Sequence, residues 1–124
     1  MRGKKASVRS LPVIRQQDLR LRLLPGLGGL NDISIMHIDV PRGSRFPAVL
    51  HKKTDELVYI VSGKGFGVVG NEKMKLKAGD FIHIPARRWH QFTTTDSRMK
   101  VLALFSPKMN MQKPDACLKK GDNQ

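Results

Sequence analysis

Residues 51–63 read "HKKTDELVYIVSG". "LVYIV" is a β-branched and aromatic run, the composition of a strand. His51 and Glu56 stand five positions apart, so on one uninterrupted strand their side chains would point to opposite faces. "KKTD" between them is polar and carries Thr-Asp, which suits a turn. The chain is therefore expected to turn here, joining a strand "FPAVLH" to a strand "ELVYIVS" as a hairpin. His51 and Glu56 would then face each other across it. An imidazole beside a carboxylate is a pair of metal ligands or an acid–base pair. Taken alone, the same two residues read better as a surface pair flanking a turn.

The chain on either side is built the same way. "LRLRLL" (19–24) alternates and predicts an edge strand; "PGLGGLND" (25–32) is loop by its glycine and proline density. "DISIMHIDV" (32–40) predicts a strand closed by the turn signal "PRGS". Short strands follow at "GFGVVG", "KMKLK", "DFIHIP", "HQFTTT" and "MKVLALFS". No segment keeps a helical period. Many short strands between Gly/Pro turns predict an all-β antiparallel sandwich or barrel. We expect residues 1–18 to form a flexible basic arm, 19–107 a single barrel and 108–124 a polar tail that frays.

The histidines and glycines form a longer frame. Gly43, His51, Glu56 and Gly63 stand as G-x5-V-x-H-x4-E-x6-G, with Val49 at the V. Gly79, Pro85, Arg87, His90 and Thr94 stand as G-x5-P-x-R-x2-H-x3-T, with fifteen residues between Gly63 and Gly79. This resembles the paired motifs of the cupin superfamily, G-x5-H-x-H-x3,4-E-x6-G and G-x5-P-x-G-x2-H-x3-N, with the short spacer of small single-domain microbial members.

The resemblance implies a jelly-roll (double-stranded β-helix) barrel with a metal or ligand site inside. Carried over by position, His51, Glu56 and His90 fall on three of the four metal-ligand positions, and Val49 falls on the fourth. Two imidazoles and a carboxylate can hold Fe, Mn, Ni, Zn or Cu as the divalent ion, with positions left open. The missing fourth ligand predicts weak binding. Arg87 replaces a glycine, and Thr94 an asparagine that is not a ligand. His37 and His83 lie on predicted strands, where each could supply a replacement ligand or simply bond to a neighbour. Members of the superfamily include dioxygenases, isomerases and lyases, and the fold does not select among them. A metal-dependent enzyme on a small metabolite and a non-catalytic ligand-binding or sensor barrel both remain open.

Arg42, Arg45, Lys52, Lys53, Arg87 and Arg88 cluster in sequence around the motif residues. Facing a barrel mouth they would favour an anionic metabolite, with Arg87 and Arg45 as ligand-binding residues. The exposed edges of a small barrel predict a homodimer.

Composition limits the other classes. At 124 residues the chain suits one domain. The net charge of +13 is concentrated early, with seven Lys/Arg in the first 22 positions against the single acid Asp18. No helix-turn-helix, zinc-finger spacing or aromatic RNA-binding pattern accompanies that charge, so a nucleic-acid function is not expected. "MRGKK" is not followed by an apolar run, and no apolar stretch is long enough to span a bilayer as a helix. With Cys117 as the one cysteine, no intrachain disulfide can form. A cytoplasmic protein that binds no membrane is the expectation.

Overall fold

The structure is a computed structural model, and it describes residues 5–24, 32–110 and 115–119. The loop expected at 25–32 lies outside the described residues but for its last position. Ten strands follow a short 3-10 turn at Val8–Ser10. In chain order they are β1 (Ile14–Gln16), β2 (Leu19–Leu24), β3 (Ser34–Val40), β4 (Val49–His51) and β5 (Asp55–Val69). β6 (Glu72–Lys77), β7 (Phe81–Ile84), β8 (His90–Thr93), β9 (Met99–Ser106) and β10 (Ala116–Leu118) complete the set. No described helix is long and apolar enough to cross a membrane.

Every pairing is antiparallel. One sheet runs β1-β2-β3-β9-β5-β7 and the other β10-β4-β8-β5-β6. β5 belongs to both, and this single strand wraps the two sheets into a jelly-roll barrel. Sequence patterning had divided it into two strands. Its first half, Asp55–Gly63, pairs with β9 and, over Glu56–Tyr59, with β7; its second half, Lys64–Val69, pairs with β6 and β8. A bulge at Val61, between Ile60 and Ser62, interrupts the β9 pairing shortly before the second half begins. The extra residue reverses the inward parity, so Glu56, Val58 and Ile60 are buried before it and Gly65 and Gly67 after it. Gly63 makes the bend possible. Its φ is +79°, and a Cβ there would sit 1.9 Å from the Arg98 carbonyl oxygen.

The inward faces form one core. Val58, Ile60, Ile84, Met99, Val101 and Ala103 are almost fully buried, and Met36, Val40, Leu76, Ile82 and Phe105 pack around them. Full burial of an aliphatic side chain of this kind contributes about 1.5–3 kcal/mol. Thr94 ties the two motif loops together. Its hydroxyl accepts the Ser44 N–H at 2.9 Å and donates to the Pro41 carbonyl, while its own N–H reaches Ser44 O at 3.1 Å. That is a structural use for the position where the motif carries asparagine.

Both ends hold more structure than their polar composition indicated. β1, within the basic stretch, pairs with β2. β10, within the polar stretch 108–124, adds to β4 with Ala116 opposite His51 and Leu118 opposite Val49. Three residues cannot display an alternation, so β10 left no periodic signal.

Candidate functional site

The turn that opens the sequence question does not close a hairpin. β4 pairs with β8 and β10, whereas the first half of β5 pairs with β7 and β9. Residues 52–54 therefore cross from one sheet to the other, and His51 and Glu56 meet across the barrel interior. The expectation that they face each other holds, but through a sheet-to-sheet crossing. Short polar connections look alike in sequence whichever strand pairing they serve.

β8 brings the third residue. His51, Glu56 and His90 are 7%, 4% and 6% exposed, and one potential ligand atom from each lies within 4.8 Å of the other two. Glu56 Oε1 stands 3.5 Å from His51 Nε2 and 3.2 Å from His90 Nε2. The imidazoles stack at 5.5 Å between centroids, 25° apart, with Phe105 edge-on to His51 and Phe92 edge-on to His90. These rings exclude water and limit rotation of the imidazoles.

Hydrogen bonding orients the rings. His90 Nδ1 lies 3.1 Å from the Arg88 carbonyl oxygen. A carbonyl only accepts, so neutral His90 carries its proton on Nδ1 and turns the Nε2 lone pair inward. His51 Nδ1 lies 3.4 Å from Asp115 Oδ1, while its Nε2 also faces Glu56. Burial works against a charged His51, but Glu56 and Asp115 outweigh it and raise the imidazole pKa above its ordinary value. Burial likewise pushes the Glu56 carboxyl up, yet the two imidazoles overcome it and hold the group below its ordinary value. Glu56 Oε1 is buried and has no hydrogen-bond partner among the described residues. With both imidazoles neutral and protonated at Nδ1, the three atoms that converge all bear lone pairs, and only a shared proton or a cation can satisfy them at once.

The three residues open onto a cavity of about 530 Å³. Its wall is mainly apolar, with Met36, Ile38, Val40, Phe46, Val101 and Phe105 among the lining residues, and Gln16 and Gln91 add polar groups. Val49 lines it as well and sits opposite His90 in the β4–β8 register. From the C-terminal side, Met109, Ala116 and Leu118 also line it.

The other candidates fall elsewhere. Arg45 and Arg87 are exposed and are not among the residues lining the cavity. Arg45 bridges to Thr93. Arg87 has φ +68°, its N–H donates to His51 O at 2.7 Å, and its Nε donates to Lys52 O at 3.3 Å. It braces the crossing with its backbone and directs its guanidinium away from the interior. Arg42, Lys52, Lys53 and Arg88 are exposed too, and Arg15 is the described cationic residue at the cavity wall. His83 is exposed between buried Ile82 and Ile84, and His37 alternates with the cavity-lining Met36 and Ile38. By strand parity both histidines point out of the barrel, so neither replaces the missing ligand. Burial draws the His37 pKa down. The sequence reading missed Asp115, which lies 59 residues after Glu56 in a stretch without pattern.

Comparison with known proteins agrees with this architecture. An uncharacterized protein of Methanocaldococcus jannaschii is 36% identical over 75 residues, 60% of either chain. The acireductone dioxygenase of Leptospira biflexa is 40% identical over 82 residues, covering 60% of this chain and 46% of the dioxygenase. The chain thus spans three fifths or less of the length of these curated relatives. A solved variant of Streptomyces PAC13 with uridine superposes with a TM-score of 0.74 at 22% identity, covering 97% of this chain and 93% of that one. Residues 36–105 match the family model described as Cupin domain, and with both motif halves meeting in one buried site the chain belongs to the cupin family.

Proposed function

We propose that the protein is a metal-dependent enzyme acting on a small molecule held in the barrel. His51, Glu56 and His90 would bind one divalent transition metal. The observation that carries this is the buried convergence of two Nε2 atoms on an otherwise unpartnered Glu56 Oε1. Such a constellation costs stability unless a proton or a cation is shared across it. Two histidines and one carboxylate form the donor set used by non-haem iron oxygenases, which leaves coordination positions open for substrate. When bound, the metal would act as a Lewis acid or redox centre. The similarity to an acireductone dioxygenase supports oxygen chemistry over the isomerase and lyase alternatives.

The chain's own residues do the rest. Phe105 and Phe92 keep water from the imidazoles, and the apolar wall receives the body of the ligand. The guanidiniums on which an anionic ligand was expected lie outside the cavity, so the pocket fits a mostly apolar molecule with one or two oxygen donors. A second copy of the chain is the proposed partner. Leu57, Val61 and Phe81 are 39%, 44% and 65% exposed. With Tyr59, whose ring lies 4.7 Å from that of Phe81, they form an apolar outer face of the kind that marks an interface. The single thiol Cys117 fits a reducing, cytoplasmic setting.

A thermal-shift screen of small oxygen-bearing compounds, with and without added Fe(II), Mn(II) or Ni(II), tests the reading. Stabilisation that requires the metal and disappears in His51→Ala is expected. Ligands that stabilise His51→Ala as much as wild type, with or without metal, would refute a metal-centred site.

A further inference from the structure

We infer that Asp115, on the C-terminal strand, is the positioning residue of His51. Its carboxylate accepts from Nδ1–H and so fixes the imidazole with Nε2 aimed at Glu56 and His90. This rests on the metal reading above and extends it to a residue outside both motifs.

Asp115 Oδ1 and His51 Nδ1 are 3.4 Å apart, within ion-pair reach and both buried, and neither makes a hydrogen bond among the described residues. The second carboxylate oxygen is anchored separately. Oδ2 accepts the Lys53 N–H at 2.7 Å and the Thr54 hydroxyl at 2.9 Å. With Oδ2 so held, Oδ1 is left facing the ring. The backbone secures the same registration, since Lys52 N–H donates to Asp115 O at 3.2 Å and β10 lies on β4 with Ala116 opposite His51.

Nδ1 and Nε2 lie on opposite sides of an imidazole, so a group on Nδ1 cannot also reach the centre of the triad. Asp115 is therefore no substitute for the ligand missing at Val49. Its place matches that of the Arg88 carbonyl behind His90. The two rings are held alike, each with an acceptor behind Nδ1 and Nε2 facing inward, but His51 has a carboxylate behind it. A carboxylate raises the basicity of the far nitrogen and locks its tautomer, and such partners are worth about 10–100-fold in metal affinity. Asp115 reaches His51 only while β10 is docked on β4, so metal affinity depends on that pairing.

The test uses the full chain, with Zn(II) affinity from chelator competition and imidazole nitrogen NMR of the metal-free protein. Asp115→Asn keeps an oxygen for Lys53 and Thr54 but offers an N–H to Nδ1, which demands the opposite tautomer. Thr54→Val loosens the anchor and leaves the carboxylate. Expected are a loss of about 10–100-fold in Zn(II) affinity for Asp115→Asn, a switch of His51 from Nδ1–H to Nε2–H, and little change in Thr54→Val. Wild-type affinity with an unchanged tautomer in Asp115→Asn overturns the inference. So does an equal loss in both variants with no change of tautomer, because Asp115 would then only dock the tail. If wild type binds no Zn(II) or other divalent transition metal while the tautomers still switch, the metal reading fails and the Asp115–His51 contact stands.

Discussion

Replacing Val49 with histidine should convert a three-ligand site into a four-ligand one. Val49 is two residues before His51 on β4, so the two share a face, and it lies opposite His90 in the β4–β8 register. Directly opposed Cβ atoms are about 5 Å apart, within reach of one metal through two imidazoles. Zinc held by four protein ligands contributes about 10–16 kcal/mol, or about 3 kcal/mol per ligand. The new ring would enter the 530 Å³ cavity rather than the packed core, so overpacking should cost no more than about 1 kcal/mol. The remaining gain of about 2 kcal/mol corresponds to on the order of 30-fold tighter binding. Zn(II) competition against a chromophoric chelator measures it, with urea unfolding as the check on folding. A folded variant of unchanged or weaker affinity would show that residue 49 does not reach the metal position.

Other consequences follow from the same geometry. In the metal-free chain, burial opposes charge on His51 but Glu56 and Asp115 raise its pKa, so its stabilisation is complete below the unfolded value of 6.5 and lost as pH rises through the folded one. Glu56, lowered by the imidazoles against burial, stabilises above its unfolded value of 4.5 and ceases to as pH falls through the folded one. Urea midpoints should therefore peak between about pH 4.5 and 6.5, with the alkaline limb missing in His51→Gln; an identical limb in that variant would contradict the assignment. Gly63→Ala should cost at least about 2 kcal/mol because strain at positive φ adds to a backbone clash. Gly79→Ala, at φ +96° with nothing within 4 Å of the new Cβ, should cost only about 1 kcal/mol, and equal urea midpoints for the two would refute the contact argument. Sedimentation equilibrium should give twice the 13.9 kDa chain mass for wild type and the single mass for Phe81→Lys; a wild-type monomer would remove the proposed interface.

The legible part of this protein was what spacing carries. Two motif frames place His51, Glu56 and His90 at fixed intervals from turn glycines, and the turns hold those intervals in the barrel. Gly43, Gly63 and Gly79 all take positive φ, which is the physical reason for glycine at those points. Pairing was less legible. Val61 is one residue of bulge, too little to disturb composition, yet it resets the inward parity of β5 just before the strand passes from one sheet to the other, and makes a fifteen-residue strand look like two. The direction of turn side chains was not legible either. Arg45 and Arg87 are near the site in sequence but face solvent, because turn residues have no parity to orient them. Asp115 was hidden for a third reason. It gains its place from β10 docking on β4, a long-range contact of a strand too short to show a period.

Metal content measured after reconstitution tests the central claim most directly. Wild type and the His51→Ala/His90→Ala double variant would be stripped with chelator, reloaded with one divalent transition metal, freed of excess and assayed by elemental analysis. The account predicts about one ion per wild-type chain, held by the donor set of two imidazoles and a carboxylate, and none retained by the folded double variant. Equal metal in the two proteins, or none in wild type with any of Fe, Mn, Ni, Zn or Cu, would contradict it.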